Sequence, residues 1–370
     1  MILFVNFAPL HFGGGAEKWM IDVASEIKKS EDVCLVDTHV SIANIYGKLV
    51  LKRNFDKRIE IDNTNSFQHK SLTISDFILF TKQWRKIRNI FSKSRRIYIR
   101  YELLETFIVF YFGGWSSFNK TVSGIHSPFI YWKPLSILDH IHNIVYASFF
   151  SKWILSKMYK IHVLNEKDRK FFEEEFDLSN IVKIPNYISL PIEIKKRTNK
   201  NENKKLHILF VGELNMRKGV DILINLIKMK NIEFIFHIAG DGPLKNDIKS
   251  LLKAPNMQYY GHLKKEKLIN LYINSDVLFM PSRAESFSLV CLEAMSYGLP
   301  IITSPQIDLD LPSYIHKINK EDTPEGYLQI FEQTINSKLT VQDKNKIESY
   351  VKKNYSRNLV MNSLKDHFFN

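Results

Sequence analysis

No stretch of this chain constrains its fold as tightly as Pro281-Ser-Arg-Ala-Glu-Ser-Phe-Ser-Leu-Val-Cys-Leu-Glu-Ala-Met-Ser-Tyr-Gly-Leu-Pro300. The apolar run Asp276–Met280 before it reads as a short buried strand. Beyond the loop Pro281–Ser286, the residues Leu289, Leu292 and Met295 recur at helical spacing until Gly298 and Pro300 stop the helix. Ser286 and Ser288 are N-cap candidates. Glu285 then stands at the mouth of a helix, with Glu293 about two turns inside it. Free backbone N–H groups and a positive dipole end make such a mouth a place for phosphate. Carboxylates at the mouth and along the helix can accept hydrogen bonds from hydroxyls of the same ligand. Phosphate with hydroxyls on both sides describes a nucleotide sugar. The plainer alternative is that Glu285 caps the helix and Glu293 is solvated.

Glu285, Phe287 and Glu293-Ala294-Met295 leading to Gly298-x-Pro300 together resemble the donor-site motif of family 4 retaining glycosyltransferases. That resemblance implies an α/β fold of the GT-B type, two Rossmann-like domains facing each other across a cleft. It carries further expectations that the rest of the chain can be tested against.

A chain of 370 residues is long enough for two such domains. Lys and Arg number 52 against 39 Asp and Glu, a net charge of +13, which suggests an anionic partner. Cys34 and Cys291 have apolar surroundings and no metal-ligand spacing, as reduced core thiols would. The opening Met1-Ile-Leu-Phe-Val-Asn-Phe lacks a basic leader, and no apolar run approaches the ~18–20 residues of a membrane span. A cytoplasmic protein, peripheral at the inner face of the plasma membrane, is the expectation.

In the N-terminal half, the strand Ile2–Phe7 runs into Gly13-Gly14-Gly15-Ala16-Glu17, and a helical pattern follows through Trp19, Met20, Val23, Ala24 and Ile27. Strand, glycine turn and helix bring backbone close to a phosphate, although neither GxGxxG nor a P-loop is present. The stretch 82–100 carries eight basic residues (Lys82, Arg85, Lys86, Arg88, Lys93, Arg95, Arg96 and Arg100) and no acidic one. Trp84, Ile87, Ile90 and Phe91 fall there at helical spacing. That stripe can lie on an anionic membrane or face the core; periodicity alone leaves both open. His126 follows the predicted strand Lys120–Gly124, at the strand edge where α/β sheets place ligands. It can equally be a structural histidine. The aromatic stretches 107–115 and 144–155 suit either a core or a surface for a lipid tail.

The polar segment Glu193–Lys205 reads as a linker, and beyond it strands and helices alternate as in a doubly wound parallel sheet. The expected domains are 1–190, a linker at 191–205, a nucleotide-sugar domain at 206–344, and a C-terminal helix at 345–370 that packs back on the first domain. The turn Gly212-Glu-Leu-Asn-Met-Arg-Lys-Gly219 resembles the family's diphosphate clamp at Lys218 and Gly219, but Glu213 stands where relatives have Arg. Arg217 is the candidate substitute. Asp308-x-Asp310 has metal-site spacing without the surrounding fold such a site needs.

The resemblance implies transfer of a hexosyl unit from a UDP- or GDP-sugar to a lipid-linked or glycan acceptor, as in cell-surface polysaccharide synthesis. His126 and Glu285 would be the catalytic pair. Gly14, Gly15, Arg217, Lys218, Ser286, Phe287, Ser288, Leu289 and Glu293 would bind the donor. No cofactor, no obligatory metal and no nucleic acid are expected. The competing readings are a sugar-nucleotide epimerase or a non-catalytic binder of the same fold.

Overall fold

The computed structural model describes residues 1–6, 15–39, 57–62, 84–101, 103–127, 129–131, 133–189, 205–229, 233–307, 309, 311–336 and 340–370. The chain divides into two compact units, one of residues 1–129, 144–184 and 360–370, the other of residues 130–143 and 185–359. The expected domains run unbroken from 1 to 190 and from 206 to 344; here residues 130–143 belong with the second unit, and only residues 360–370 of the C-terminal segment belong with the first.

In chain order the first unit holds β1 (Ile2–Asn6), α1 (Gly15–Ile27), β2 (Val33–His39), β3 (Lys57–Asp62), α2 (Trp84–Lys93), β4 (Arg96–Arg100) and α3 (Leu103–Gly113). A 3-10 turn at Trp115–Lys120, β5 (Thr121–Gly124), α4 (Ile137–Tyr146), α5 (Phe149–Lys157), β6 (Lys160–Val163), α6 (Glu166–Glu174) and β7 (Ile181–Lys183) follow, with the first turns of α4 assigned to the second unit. The seven strands form one parallel sheet in the order β3-β2-β1-β4-β5-β6-β7. Parallel strands covered on both faces read as continuous apolar runs, and Ile2, Leu3, Phe4 and Val5 have no exposed surface.

From Trp84 onward the basic stretch turns its apolar stripe to the core. The helix covers Trp84–Lys93, and β4 begins at Arg96. Ile87, Ile90 and Phe91 are buried, so the apolar stripe points inward. Arg95 pairs with Glu31 and donates to the carbonyl of Phe369, and the Arg96 guanidinium lies 3.8 Å from the Tyr159 ring centre. Arg85, Arg88 and Lys93 are left on the solvated side.

The second unit is a six-stranded parallel sheet in the order β10-β9-β8-β11-β12-β13. Its elements are β8 (Leu206–Val211), α7 (Val220–Lys228), β9 (Phe234–Ala239), α8 (Lys245–Ser250), β10 (Met257–Gly261), α9 (Lys265–Asn274), β11 (Val277–Met280), α10 (Leu289–Ser296), β12 (Ile301–Thr303), β13 (His316–Ile318), α11 (Pro324–Asn336) and α12 (Val341–Tyr355). The alternation expected from residue 206 onward is present to within a residue or two at most ends. β13 was not foreseen, because three residues centred on Lys317 carry no strand pattern. The C-terminal helix is broken at Ser356, whose φ of −65° and ψ of 143° are extended. The break has a partner: Ile188 N donates to Tyr355 O at 3.0 Å, and Ile188 bridges Ser356. Beyond it, α13 (Arg357–Leu364) leads to Phe368 and Phe369, whose rings meet Tyr98 and Phe4 of the first unit's core.

Candidate functional site

In both sheets the strand order reverses beside the first strand, between β1 and β4 and between β8 and β11. At such a switch point the loops leaving the C-terminal strand ends diverge and open a crevice for a ligand. In the second unit the two loops concerned are 212–219 after β8 and 281–288 after β11. They hold the sequence-predicted donor residues Arg217, Lys218, Glu285, Ser286, Phe287 and Ser288.

Gly219 brings these loops together. Its φ is +71°, in the left-handed region, and a Cβ built there would lie 2.1 Å from the carbonyl oxygen of Pro281. With only hydrogen there, the turn before α7 packs directly against the start of the motif loop. The Lys218 ammonium then reaches the Glu285 carboxylate and forms an ion pair, with Ser282 Oγ donating to the same oxygen at 3.4 Å. Lys218 N is fixed by Asn215 Oδ1 at 2.9 Å. Arg283 adds a second tie: its guanidinium donates two bonds of 2.6 Å to Asp221, in the first turn of α7, and a third to the carbonyl of Met216. Bidentate geometry of this kind is stiff as well as strong. Sequence reasoning missed Arg283 and Asp221, since nothing in their spacing announces the pair.

Ser288 is the N-cap of α10, accepting from Cys291 N at 3.3 Å; Ser286 precedes it and is buried. Glu293 is half-buried on that helix and accepts from Tyr272 Oη at 3.0 Å. Burial, and after it the neighbouring Glu293 charge, raise the Tyr272 phenol far above its ordinary range, so it remains a donor. Phe287 faces the apolar cluster under α10, its ring 6.1 Å from that of Tyr355, and Leu289 opens the helix half-buried. The Cys291 thiol is pushed up to about 12, chiefly by burial, and Cys34 is equally buried; neither is poised to react.

Arg217 does not join Lys218. Its guanidinium lies 4.5 Å from the Tyr131 ring centre and donates to Asp139 Oδ1 at 3.2 Å. Glu213 is exposed between the half-buried Gly212 and the fully buried Leu214, so its carboxylate points to solvent. Among the described residues no group of three or more His, Cys, Asp or Glu could hold a metal; Asp308 and Asp310 lie outside the described residues. Gly14 lies outside them too, and Gly15 is the first residue of α1.

His126 belongs to the first unit, at the C-terminal end of β5. Tyr98 on β4 and His162 on β6 stand on the same sheet face, on either side of Gly124. A Cβ at Gly124 would lie 2.1 Å from Tyr98 Oη and 2.8 Å from His126 Nε2, so only glycine leaves room for this cluster. Three bonds run in series: His126 Nε2 to Tyr98 Oη at 2.8 Å, Tyr98 Oη to His162 Nδ1 at 2.6 Å, and His162 Nε2 to the carbonyl of Ile184 at 2.8 Å. A carbonyl only accepts, so His162 carries its proton on Nε2 and receives the Tyr98 hydroxyl at Nδ1. The tyrosine oxygen then accepts from His126 Nε2–H, which makes Nδ1 of His126 its basic nitrogen. Burial lowers His126 well below the usual imidazole range, aided by His162 and Arg100, and holds it neutral at pH 7. Trp19 packs 4.4 Å from the ring.

Residues 191–309 match the family model described as glycosyl transferases group 1. The match spans about a third of the chain. The match covers both loops of the second unit and α10. Similar sequences include a protein in the cps region of Klebsiella pneumoniae, 40% identical over 116 residues, which are 30% of this chain and 32% of that protein. The sulfoquinovosyl transferase SQD2 of Arabidopsis thaliana is 33% identical over 113 residues, 30% of this chain and 22% of that one. The chain thus spans a third or less of the length of these two curated relatives. Solved structures reach further. A sucrose-phosphate synthase from Thermosynechococcus elongatus superposes with a TM-score of 0.73 over 99% of this chain and 97% of its own, at 14% identity. The lipopolysaccharide outer core galactosyltransferase WaaB superposes with a TM-score of 0.73 over 100% and 99%, at 17% identity. Anabaena HepE, solved with UDP and glucose, gives 0.67 over 99% and 98%, at 14% identity. The chain has the GT-B fold.

Proposed function

We propose that this protein is a retaining glycosyltransferase that moves a hexosyl unit from a UDP- or GDP-sugar to a lipid-linked or glycan acceptor in cell-surface polysaccharide synthesis. The observation that carries the reading is the meeting of Lys218 with Glu285 at the mouth of α10, inside the matched region. Lys218 and Glu285 form an ion pair with each other. A diphosphate offers Lys218 a second anion, and the α10 N-terminus offers backbone N–H groups beside it. Glu285 then holds the sugar or phosphate region, and Glu293, already accepting from Tyr272, takes ribose hydroxyls. Departure of a nucleoside diphosphate builds charge on the β-phosphate, where Lys218 and the helix mouth stabilise it. His126 orients the transferred sugar through Nδ1, and Gly14 and Gly15 approach the diphosphate by their backbone. No obligatory metal takes part, and the protein works at the cytoplasmic face of a membrane. The support from other proteins is that structural neighbours were solved with UDP or with UDP and glucose.

The test is thermal protection by a panel of UDP- and GDP-sugars, in EDTA, on wild type and on Lys218→Ala and Glu293→Ala. One donor should raise the Tm of wild type. Lys218→Ala should lose a charge-assisted contact of roughly 1.5–3 kcal/mol, and Glu293→Ala should weaken the free nucleoside diphosphate as well as the donor. Protection that is undiminished in both folded variants would remove the donor site from this position. Binding without transfer to any acceptor, or with epimer formation, would favour the binder or the epimerase.

A further inference from the structure

We infer that the aromatic surface formed by α3, the 3-10 turn after it and α5 is a docking face for anionic phospholipid. The first unit exposes large apolar side chains in one region above all. Phe149 is 80% exposed, Phe150 60%, Ile144 72% and Trp115 55%, with Phe107 and Val145 also open. Ring contacts make the aromatic part continuous across elements: Phe110 to Trp115 at 4.5 Å, Trp115 to Trp153 at 5.1 Å, and Trp153 to Phe150 at 6.1 Å. The exposure is built in rather than a frayed end. Ser148 caps α5, accepting from Ser151 N at 3.3 Å, and Ser151 Oγ donates to Val145 O at 3.1 Å. That cap sets Phe149 and Phe150 outward in the first turn while Ser151, Ile154 and Leu155 are buried. The last turn of α4 leads into the same corner with Ile144 and Val145.

Charge selects the occupant. From Thr106 to Asn165 the sequence holds a single carboxylate, Asp139, alongside Lys120, Lys133, Lys152, Lys157 and Lys160. Asp139 is buried, accepting from Leu135 N at 2.9 Å and from Arg217, so it offers the surface no negative charge. Lys152 and Lys157 lie on α5 itself, half-buried and exposed respectively. Tryptophan and phenylalanine flanked by lysines, with no exposed acid between Thr106 and Asn165, match the boundary of an anionic bilayer: the rings enter the headgroup layer and the ammonium groups meet phosphate. No helix among the described residues is long and apolar enough to cross a membrane, so the face would lie on the surface. This deepens the membrane-linked acceptor of the proposed function and rests on it for its purpose, but not for its measurement.

The experiment is co-sedimentation of the full chain with phosphatidylglycerol-containing vesicles and with neutral phosphatidylcholine vesicles, over a salt series. Wild type should sediment with the anionic vesicles at low salt and be released as salt rises. Phe149→Ser with Phe150→Ser should weaken partitioning by at least about tenfold. Lys152→Gln with Lys157→Gln should weaken it by about fivefold per charge and flatten the salt dependence. Donor protection should be unchanged in both, which separates this outcome from failure of the donor site. Wild type left in the supernatant would overturn the inference, as would the variants sedimenting equally. Sedimentation velocity covers the remaining occupant: a dimer of the free protein that Phe149→Ser with Phe150→Ser dissociates would make the face a contact between copies.

Discussion

Tyr98 shows what one hydroxyl can decide. It is fully buried, it donates to His162 Nδ1 and accepts from His126 Nε2, and burial raises its own pKa far out of range. Without it, two imidazole nitrogens lose their partner in an apolar setting, each costing about 1–3 kcal/mol. Tyr98→Phe keeps the ring contacts with Trp19 and Phe369 and removes only the oxygen. The variant should melt lower than wild type, and turnover should fall while nucleoside-diphosphate affinity stays nearly intact, because the tautomer of His126 is no longer fixed. Turnover equal to wild type in a folded Tyr98→Phe would return His126 to a structural role. His126 itself was legible in the sequence as a histidine at a strand edge. Its partners were not, since Tyr98 and His162 are 28 residues before it and 36 after it in the chain and meet it only across neighbouring strands.

At the scale of elements, the turn before α7 and the loop before α10 act as one piece, pinned by Gly219 and by the Arg283–Asp221 pair. Gly219→Ala tests the pinning. An L-residue at φ +71° costs about 1–2 kcal/mol, and the new methyl meets Pro281 O at 2.1 Å, so the loops must separate. Destabilisation should therefore exceed that backbone term, and donor protection should weaken because Lys218 moves away from the α10 mouth. A Gly219→Ala protein with wild-type Tm and protection would show that the close approach is dispensable. Arg217 carries the opposite lesson. One residue from Lys218 in sequence, it points at Tyr131 and Asp139, which belong to the same unit through residues 130–143. The basic stretch 82–100 behaves similarly: its stripe of Ile87, Ile90 and Phe91 has the period of a helix, but only packing shows which way that helix faces.

For the whole molecule, buried titratable groups set a pH dependence. His162 and His237 are each lowered to about 4, mainly by burial, and His126 is lowered as well. A depressed histidine means that the unfolded chain takes up more protons between about pH 6.5 and pH 4, so stability falls as pH drops through that window. Asp168 runs the other way. Burial raises it to about 6, so its contribution is complete below the unfolded carboxyl value of about 3.9 and is lost as pH rises through 6. Three histidines outweigh one carboxyl, each group being worth about 1.4 kcal/mol per pH unit. The Tm should fall steadily from pH 6.5 to pH 5 in a melting series; a flat or rising Tm there would contradict these buried neutral histidines.

What the sequence determined by itself is what repeats locally. The βα alternation from residue 206, the strand and helix around Pro281–Pro300 and the cap at Ser288 follow from spacing and from residue types whose preferences act within a turn or two. Lys218 was expected near Glu285 only through the family resemblance of the turn Gly212–Gly219; that the two side chains meet was left to the structure. Tertiary structure alone decided the direction of each side chain and the company it keeps. It turned Arg217 toward Tyr131, joined Arg283 to Asp221, put Tyr98 between two histidines, buried the stripe of α2 and left Phe149 and Phe150 in the open. Periodicity fixes which residues share a face, but burial depends on what packs against that face, and this is set by residues tens to hundreds of positions away.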